Sequence, residues 1–140
     1  MNKQYNNLEN IFKINGKKVL ITGATGKFGY ILCKSYLELG AKVIGIDYKL
    51  NKKNLIVHSN INYLKSNISN KKSISKAFKD IYKKNKNIDI LINNAAVSYF
   101  ETFDKRSEKN FDATMAVNLK GTFFCIKQFA KLHNKKLLEN

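Results

Sequence analysis

The sequence contains no proline and no tryptophan, and no apolar run approaches the roughly 18 residues that a membrane-spanning helix needs. The polar start, Met-Asn-Lys-Gln-Tyr-Asn-Asn, also lacks the apolar core of a signal peptide. We therefore expect no membrane partner and a cytoplasmic location. Because 140 residues suit one domain or part of one, we expect a disordered lead-in over 1–10 and a partial domain over 11–140.

Cysteine is scarce as well, because Cys33 and Cys125 are the only two in the chain. Each lies among apolar neighbours in a predicted helix, and their separation matches no metal-ligand spacing. Free cysteine is usually buried in protein cores. We therefore expect two reduced core thiols and no metal site.

Acidic residues are few, which leaves a formal net charge of +16. A basic surface favours nucleic-acid binding, but Arg106 is the only arginine and the lysines are spread along the whole chain. Arginine is the preferred residue for bidentate phosphate and base contacts. We therefore expect weak, salt-dependent attraction of polyanions and no specific nucleic-acid partner.

Apolar runs alternate with amphipathic segments along the chain, which predicts a parallel α/β sheet with crossover helices. The predicted strands are 17–22, 42–47, 61–65 and 88–92. The predicted helices are 27–39, 71–84, 105–116 and 119–133, and the last two form one segment that is bent between them.

Glycines recur where the first strand runs into the first helix, at Gly23, Gly26 and Gly29. This is the form of a dinucleotide-binding loop, in which Gly23 makes the tight turn and Gly26 lets the backbone approach a diphosphate. Gly29 then lets the helix pack close to the strand. The alternative is a strand-to-helix turn whose glycines serve the backbone only.

An acidic residue, Asp47, ends the second strand, 18 positions after Gly29. A dinucleotide site places an acid near this spacing to bind the adenosine ribose. A carboxylate there repels a 2′-phosphate by roughly 4 kcal/mol at about 4 Å and a dielectric constant of about 20, so NAD is preferred over NADP. Lys27 and Lys49 offset part of the repulsion. The alternative for Asp47 is a solvated strand-end carboxylate.

Four stretches in order resemble the short-chain dehydrogenase/reductase family. They are Ile-Asn-Gly-Lys-Lys-Val-Leu-Ile-Thr-Gly (14–23), Leu-Lys-Ser-Asn-Ile-Ser (64–69), Asn-Asn-Ala-Ala (93–96) and Met-Ala-Val-Asn-Leu-Lys-Gly-Thr (115–122). The resemblance implies a Rossmann-type doubly wound parallel sheet that binds a nicotinamide dinucleotide. It also implies reversible oxidoreduction between alcohol and carbonyl by hydride transfer.

The resemblance implies roles for matching residues. The cofactor-binding set is Thr22, Gly23, Thr25, Gly26, Lys27, Phe28, Gly29, Asp47, Asn67, Ile68, Asn93, Asn94, Ala95 and Ala96. Within it, Thr22 and Asn93 tie the glycine turn to the fourth strand, and 94–96 line the cofactor cleft. Asn118 corresponds to the asparagine that interrupts its helix and holds a water in the proton relay; the alternative is an ordinary polar helix residue.

Three positions depart from the family pattern. Lys27 follows Gly26 where the commonest family loop has glycine, so the loop reads Gly-x-x-Gly-x-x-Gly. Asn67 replaces an aspartate, although its amide oxygen is still able to accept from the adenine amine. Ala96 replaces glycine and narrows the approach to the cofactor.

The family's catalytic serine and Tyr-x-x-x-Lys helix do not occur before Asn140. We therefore expect a sheet truncated after about four strands in the order 3-2-1-4, and no turnover by the chain alone. The exposed edge of the fourth strand and the apolar last helix predict self-association or a complementing chain. The first alternative function is a non-catalytic nucleotide-binding half-domain completed by a partner, and a lesser one is a basic nucleic-acid binder.

Overall fold

The computed structural model describes residues 13–133, which form a four-stranded sheet flanked by helices. The strands are β1 (Lys18–Thr22), β2 (Lys42–Asp47), β3 (Ile61–Lys65) and β4 (Ile90–Ile92), and the helices are α1 (Lys27–Glu38), α2 (Lys71–Asn85), α3 (Glu108–Met115) and α4 (Thr122–His133). Two 3-10 turns cover Lys52–Asn54 and Phe103–Lys105. The expected lead-in over 1–10 lies outside the described residues.

All four strands are parallel and their order is β3-β2-β1-β4. This confirms the predicted Rossmann-type doubly wound sheet. The chain builds outward from β1 to β3 and then crosses to the other side of β1 to form β4. In sheets of this type, the point where the order reverses leaves a crevice at the carboxyl ends of the strands.

The core has two layers, one on each face of the sheet. Leu20 and Ile44 point toward α2 and α4, where they pack with Phe78 and Cys125. Their neighbours along the strands point to the other face and pack with Cys33 of α1. Side chains alternate between the two faces of a strand, and both faces of β1 are covered by core layers. The interior residues of β1 are therefore all apolar and buried.

The two cysteines are fully buried, as predicted, and both are free thiols. Burial raises the pKa of Cys33 and of Cys125 to about 11. Within residues 13–133, no cluster of histidine, cysteine or acidic side chains is suited to hold a metal ion. The same residues include no helix that is long and apolar enough to span a membrane.

A π-helical segment, Ala116–Gly121, joins α3 to α4 at the place where the sequence predicts a bend. It is fixed by Asn118, whose side chain pairs with the backbone of Val97 in the loop after β4. The Val97 N–H donates to Oδ1 at 2.9 Å, and Nδ2 donates to the Val97 carbonyl oxygen at 3.0 Å. The helix interruption and the loop after β4 therefore hold each other in place.

Candidate functional site

A cleft of about 750 Å³ opens at the carboxyl ends of the strands, where the loops after all four strands meet. Its lining comprises Gly23, Gly26, Lys27, Phe28, Gly29, Ile46, Asp47, Tyr48, Lys49, Ser66, Asn67, Ile68, Ser69, Asn94, Ala95, Ala96, Val97, Tyr99, Ala113 and Val117. Most of the predicted cofactor-binding residues are therefore brought together along one wall or floor. Thr22, Thr25, Asn93 and Asn118 do not line it.

The glycine turn, residues 23–26, forms the floor of this cleft. Gly23 has φ of 65°, a left-handed conformation that side chains rarely adopt, and a Cβ there would lie 2.8 Å from the Cα of Ala95. A Cβ on Gly29 would overlap the carbonyl oxygen of Gly23 and lie 2.8 Å from its carbonyl carbon. The absence of both side chains therefore lets α1 begin directly against the turn.

The N-terminus of α1 opens into the cleft without a capping side chain. Gly26 is the N-cap residue and makes no side-chain hydrogen bond to the first turn. The first N–H groups of a helix have no intrahelical partner and carry a partial positive charge. Since Lys27, Phe28 and Gly29 line the cleft here, this end of α1 is suited to bind an anion such as a diphosphate.

The ends of β1 and β4 are tied by Thr22 and Asn94. The Thr22 hydroxyl oxygen accepts from the N–H groups of Asn94 at 3.1 Å and Ala95 at 3.0 Å. Asn94 Nδ2 donates in return to the carbonyl oxygens of Thr22 at 2.9 Å and Gly23 at 3.1 Å. The predicted tie thus involves Asn94 rather than Asn93, because the Asn93 side chain is exposed at this turn of the backbone.

Asp47 lies at the edge of the cleft and is held by the glycine turn. Its Oδ2 accepts from the Thr25 N–H and from the Thr25 hydroxyl, both at 2.9 Å. Its Oδ1 accepts from the Lys49 N–H at 3.3 Å. Asp47 is the only acidic residue among the described lining residues, and Lys27 and Lys49 are the only lysines. This wall of the cleft therefore has one carboxylate that accepts hydrogen bonds and two positive charges near it.

Asn67 begins the loop after β3, and its side chain folds back on that loop. Oδ1 accepts from the N–H of Ser69 at 3.0 Å and from its hydroxyl at 2.8 Å. Both lone pairs are therefore used, and the oxygen has no free site for the adenine amine that we expected it to accept. The Asn67 amide nitrogen is a donor, and the next residue along the chain, Ile68, is apolar and almost fully buried.

The far end of the cleft is formed by the loop after β4 and by α3 and the π segment. Ala95 and Ala96 lie in this loop, and Val117 faces them from the π segment. Asn118 does not line the cleft itself but fixes Val97, which does. Both polar atoms of the Asn118 side chain are thus engaged by the backbone of the loop.

Sequence reasoning placed Lys49 near the ribose but missed several other lining residues, which are Ile46, Tyr48, Ser66, Ser69, Val97, Tyr99, Ala113 and Val117. Tyr48 directly follows Asp47, and Ser66 and Ser69 flank Asn67, so adjacency to a predicted residue was a usable signal for these. Tyr99 carried no such signal, because its position depends on the path of an irregular loop. Arg106 fixes that path by donating from Nη2 to the Tyr99 carbonyl oxygen at 2.8 Å.

A doubly wound sheet with a glycine turn and an acidic end of β2 defines a nucleotide-binding class of α/β protein. Comparison with known proteins narrows this class, because the family model of short chain dehydrogenases matches residues 17–136. The chain therefore belongs to the short-chain dehydrogenase family.

Individual relatives agree with this assignment. The chain is 34% identical over 115 residues to an NAD-dependent glycerol dehydrogenase of Listeria innocua, covering 80% of this chain and 45% of that protein. It is also 34% identical over 110 residues to an uncharacterised oxidoreductase of Schizosaccharomyces pombe, covering 79% and 42%. The chain thus spans about half the length of the curated relatives it matches.

Among solved structures, a short-chain dehydrogenase of Leptospira borgpetersenii with bound NAD+ has the same fold. Its TM-score to this chain is 0.79 at 32% sequence identity, and the match covers 97% of this chain and 51% of that one. The similarity therefore extends over the whole described fold, including the cleft.

Proposed function

We propose that the cleft of this chain binds NAD and that the protein it belongs to transfers hydride between the nicotinamide and an alcohol or carbonyl substrate. The observation that supports this most is the meeting of an uncapped helix N-terminus, a glycine turn and a strand-end carboxylate in one cleft. A dinucleotide needs these three features for its diphosphate, for close backbone approach and for its adenosine ribose.

The diphosphate is placed at the start of α1. Backbone N–H groups of the first turn donate to its oxygens, and the Lys27 ammonium adds a positive charge. Gly26 leaves room for this approach, since only the carbonyl oxygen of Gly23, at 3.3 Å, lies near its missing Cβ. The commonest family loop has a glycine at the position of Lys27, which allows close approach of the backbone. Lys27 instead contributes its positive charge to diphosphate binding.

The adenosine half is placed between the ends of β2 and β3. Asp47 accepts from a ribose hydroxyl, and its charge disfavours a 2′-phosphate, so NAD is preferred over NADP. Lys27 and Lys49 reduce this preference without reversing it. Ile68 packs against the adenine, while the Asn67 amide nitrogen donates to a ring nitrogen.

The nicotinamide half is placed against Asn94, Ala95 and Ala96, where the bound cofactor supplies the hydride donor or acceptor. Asn118 keeps this wall in place through Val97. Each polar atom of its side chain makes one hydrogen bond to Val97, which leaves one acceptor and one donor position for a water of the proton relay. No Tyr-x-x-x-Lys follows β4 in these 140 residues, so we expect this chain to bind NAD without turning over.

Calorimetric titration of NAD into the 140-residue chain tests the proposal, with Asp47→Asn as the matched variant. Saturable binding that weakens in Asp47→Asn is expected. An unchanged affinity in Asp47→Asn would show that the ligand does not reach the end of β2. Robust NAD reduction by this chain would contradict the expected lack of turnover.

Self-association through the last helices is a second part of the proposal. Exposed apolar side chains form a stripe on α3, the π segment and α4, which we call the apolar stripe: Phe111, Met115, Leu119, Phe123 and Ile126. A second copy of the chain that packs its own apolar stripe against this one would cover both stripes. In the described sheet, β4 pairs only with β1 and leaves its other edge open to a complementing chain.

A further inference from the structure

Thr25 belongs to the glycine turn, but it is 3% exposed and lies behind the cleft wall rather than in it. Its backbone and side chain join this turn to the loop that follows β2. The hydroxyl oxygen accepts from the Asn51 N–H at 3.2 Å, and the carbonyl oxygen accepts from Asn54 Nδ2 at 2.8 Å. The resemblance implies that Thr25 touches the cofactor, whereas in the structure it lies outside the cleft lining and its polar groups contact the end of β2 and the loop that follows.

The most direct of these contacts is with Asp47. Two Thr25 donors, the N–H and the hydroxyl, both reach Oδ2 at 2.9 Å. The hydroxyl also lies 3.0 Å from the Lys49 carbonyl oxygen, so its one proton is shared between two acceptors. A carboxylate has about four acceptor positions. Thr25 occupies two of them on Oδ2, and the Lys49 N–H takes one on Oδ1, which leaves Oδ1 as the oxygen with capacity for a ligand.

We propose that Thr25 is a positioning residue that sets the selectivity between NAD and NADP by fixing the Asp47 carboxylate in place. This inference rests on the proposed function and deepens it. Held by two bonds to Oδ2, the carboxylate is unable to swing away from the ribose, and it meets a 2′-phosphate with its full charge. Released from Thr25, it turns toward solvent and leaves Lys27 and Lys49 as the charges nearest to a 2′-phosphate.

The ratio of the dissociation constants for NADP and NAD, measured by calorimetry on the 140-residue chain, tests this role. For Thr25→Val, which keeps the shape and the N–H but removes the hydroxyl, we expect the ratio to fall about tenfold, the low end of the range for one hydrogen bond to a charged group. Thr25→Ser keeps the hydroxyl and should hold the ratio within about twofold of the parent. Thr25→Ala gives a second hydroxyl-free variant if the valine variant does not fold.

A double-mutant cycle separates positioning of Asp47 from general loosening of the loop. In an Asp47→Asn background, Thr25→Val should leave the ratio unchanged, because the charge through which Thr25 acts is gone. Asn54→Ala removes the loop's bond to the Thr25 carbonyl and keeps both bonds to Asp47, so it should change the affinities for NAD and NADP by the same factor. A Thr25→Val effect of equal size with and without Asp47 would overturn the proposal.

Failure of this inference is distinguishable from failure of the proposed function. If the folded parent chain binds neither NAD nor NADP, the proposed function fails. If the parent binds NAD and Asp47→Asn lowers the ratio, while the hydroxyl-free variants keep it, the function stands and the positioning role of Thr25 is refuted.

Discussion

Single atoms decide how closely the backbone of the glycine turn comes to a ligand and to α1. Gly29 and Gly26 differ in this respect, although both are glycines of one motif. A Cβ on Gly29 would overlap the Gly23 carbonyl oxygen, whereas a Cβ on Gly26 would meet that oxygen at 3.3 Å. Glycine at position 29 is therefore required by the fold, whereas the space beside Gly26 is available to a ligand.

The pair Gly29→Ala and Gly26→Ala separates these two requirements. Gly29→Ala should lower the free energy of unfolding by about 1–3 kcal/mol, the usual cost of overpacking, and abolish NAD binding. Gly26→Ala should remain within about 1 kcal/mol of the parent in stability, yet weaken NAD binding about tenfold by obstructing the diphosphate. Urea unfolding and calorimetry measure the two effects. Parent-like NAD affinity in Gly26→Ala would contradict the placement of the diphosphate.

The buried thiols report on whether the core is closed. With pKa values of about 11, Cys33 and Cys125 carry thiolate in only about one part in a thousand at pH 8, so a disulfide-forming thiol reagent should label neither in the folded chain. Two thiols per chain should react in denaturant. Since the pKa rises from 9.0, the thiols favour the folded state below pH 9, and this contribution is lost as the pH rises toward 11. Rapid labelling of the native chain would show an open core.

At the scale of elements, the π segment and the loop after β4 depend on each other. Asn118→Ala removes both bonds to Val97 and should lower the free energy of unfolding by about 1–2 kcal/mol. It should also weaken NAD binding, because Val97 lines the cleft. Lys120→Ala, in the same segment and exposed, is the control and should change stability by less than about 0.5 kcal/mol. Equal stability of the two variants in urea would show that the Val97 contact is not maintained in solution.

Most of the fold follows from local pattern in the sequence, and the site follows only in part. Strands β2 and β3 begin and end where the apolar runs predict, and the sheet order is as expected. Strand β4 starts at Ile90 instead of residue 88, because Asp89 accepts from the Lys18 N–H at 2.7 Å ahead of the strand pairing. The apolar pattern of the local sequence predicts that a strand is present, but it does not predict this contact between β1 and the residue before β4.

Contacts between distant segments explain what the sequence did not predict at the site. Asn93 and Asn94 are identical neighbours, and only the backbone path after β4 decides which of them reaches Thr22. The bonds from Thr25 to Asp47 likewise join residues on two separate strand ends. Motif spacing identifies such residues as a group, but the three-dimensional arrangement assigns each one its role.

At the scale of the whole molecule, the apolar stripe is a row of exposed apolar side chains without a described partner element. Leu119 is 60% exposed and lies in the middle of the stripe. Leu119→Lys should therefore shift the chain from dimer to monomer in light scattering coupled to gel filtration. Val57→Lys is the control, because Val57 is 99% exposed but lies in the loop between β2 and β3. A parent chain that is monomeric, with a sharp and concentration-independent unfolding transition, would refute self-association.

Net charge affects every binding measurement on this chain. The formal charge of +16 attracts any polyanion, and the attraction falls as salt screens it. Among the residues that the structure describes, only Lys34 and Glu38 form an ion pair, at 3.9 Å on the surface. Specific dinucleotide binding must therefore be distinguished from charge attraction, which inorganic pyrophosphate also experiences.

The most direct test of the account is calorimetric titration of NAD into the folded 140-residue chain at physiological ionic strength and again at a higher salt concentration, because added salt screens non-specific charge attraction. The account predicts one saturable site per chain that persists at the higher salt concentration and weakens in Asp47→Asn. A chain that is folded by circular dichroism but binds no NAD at millimolar concentration would contradict it.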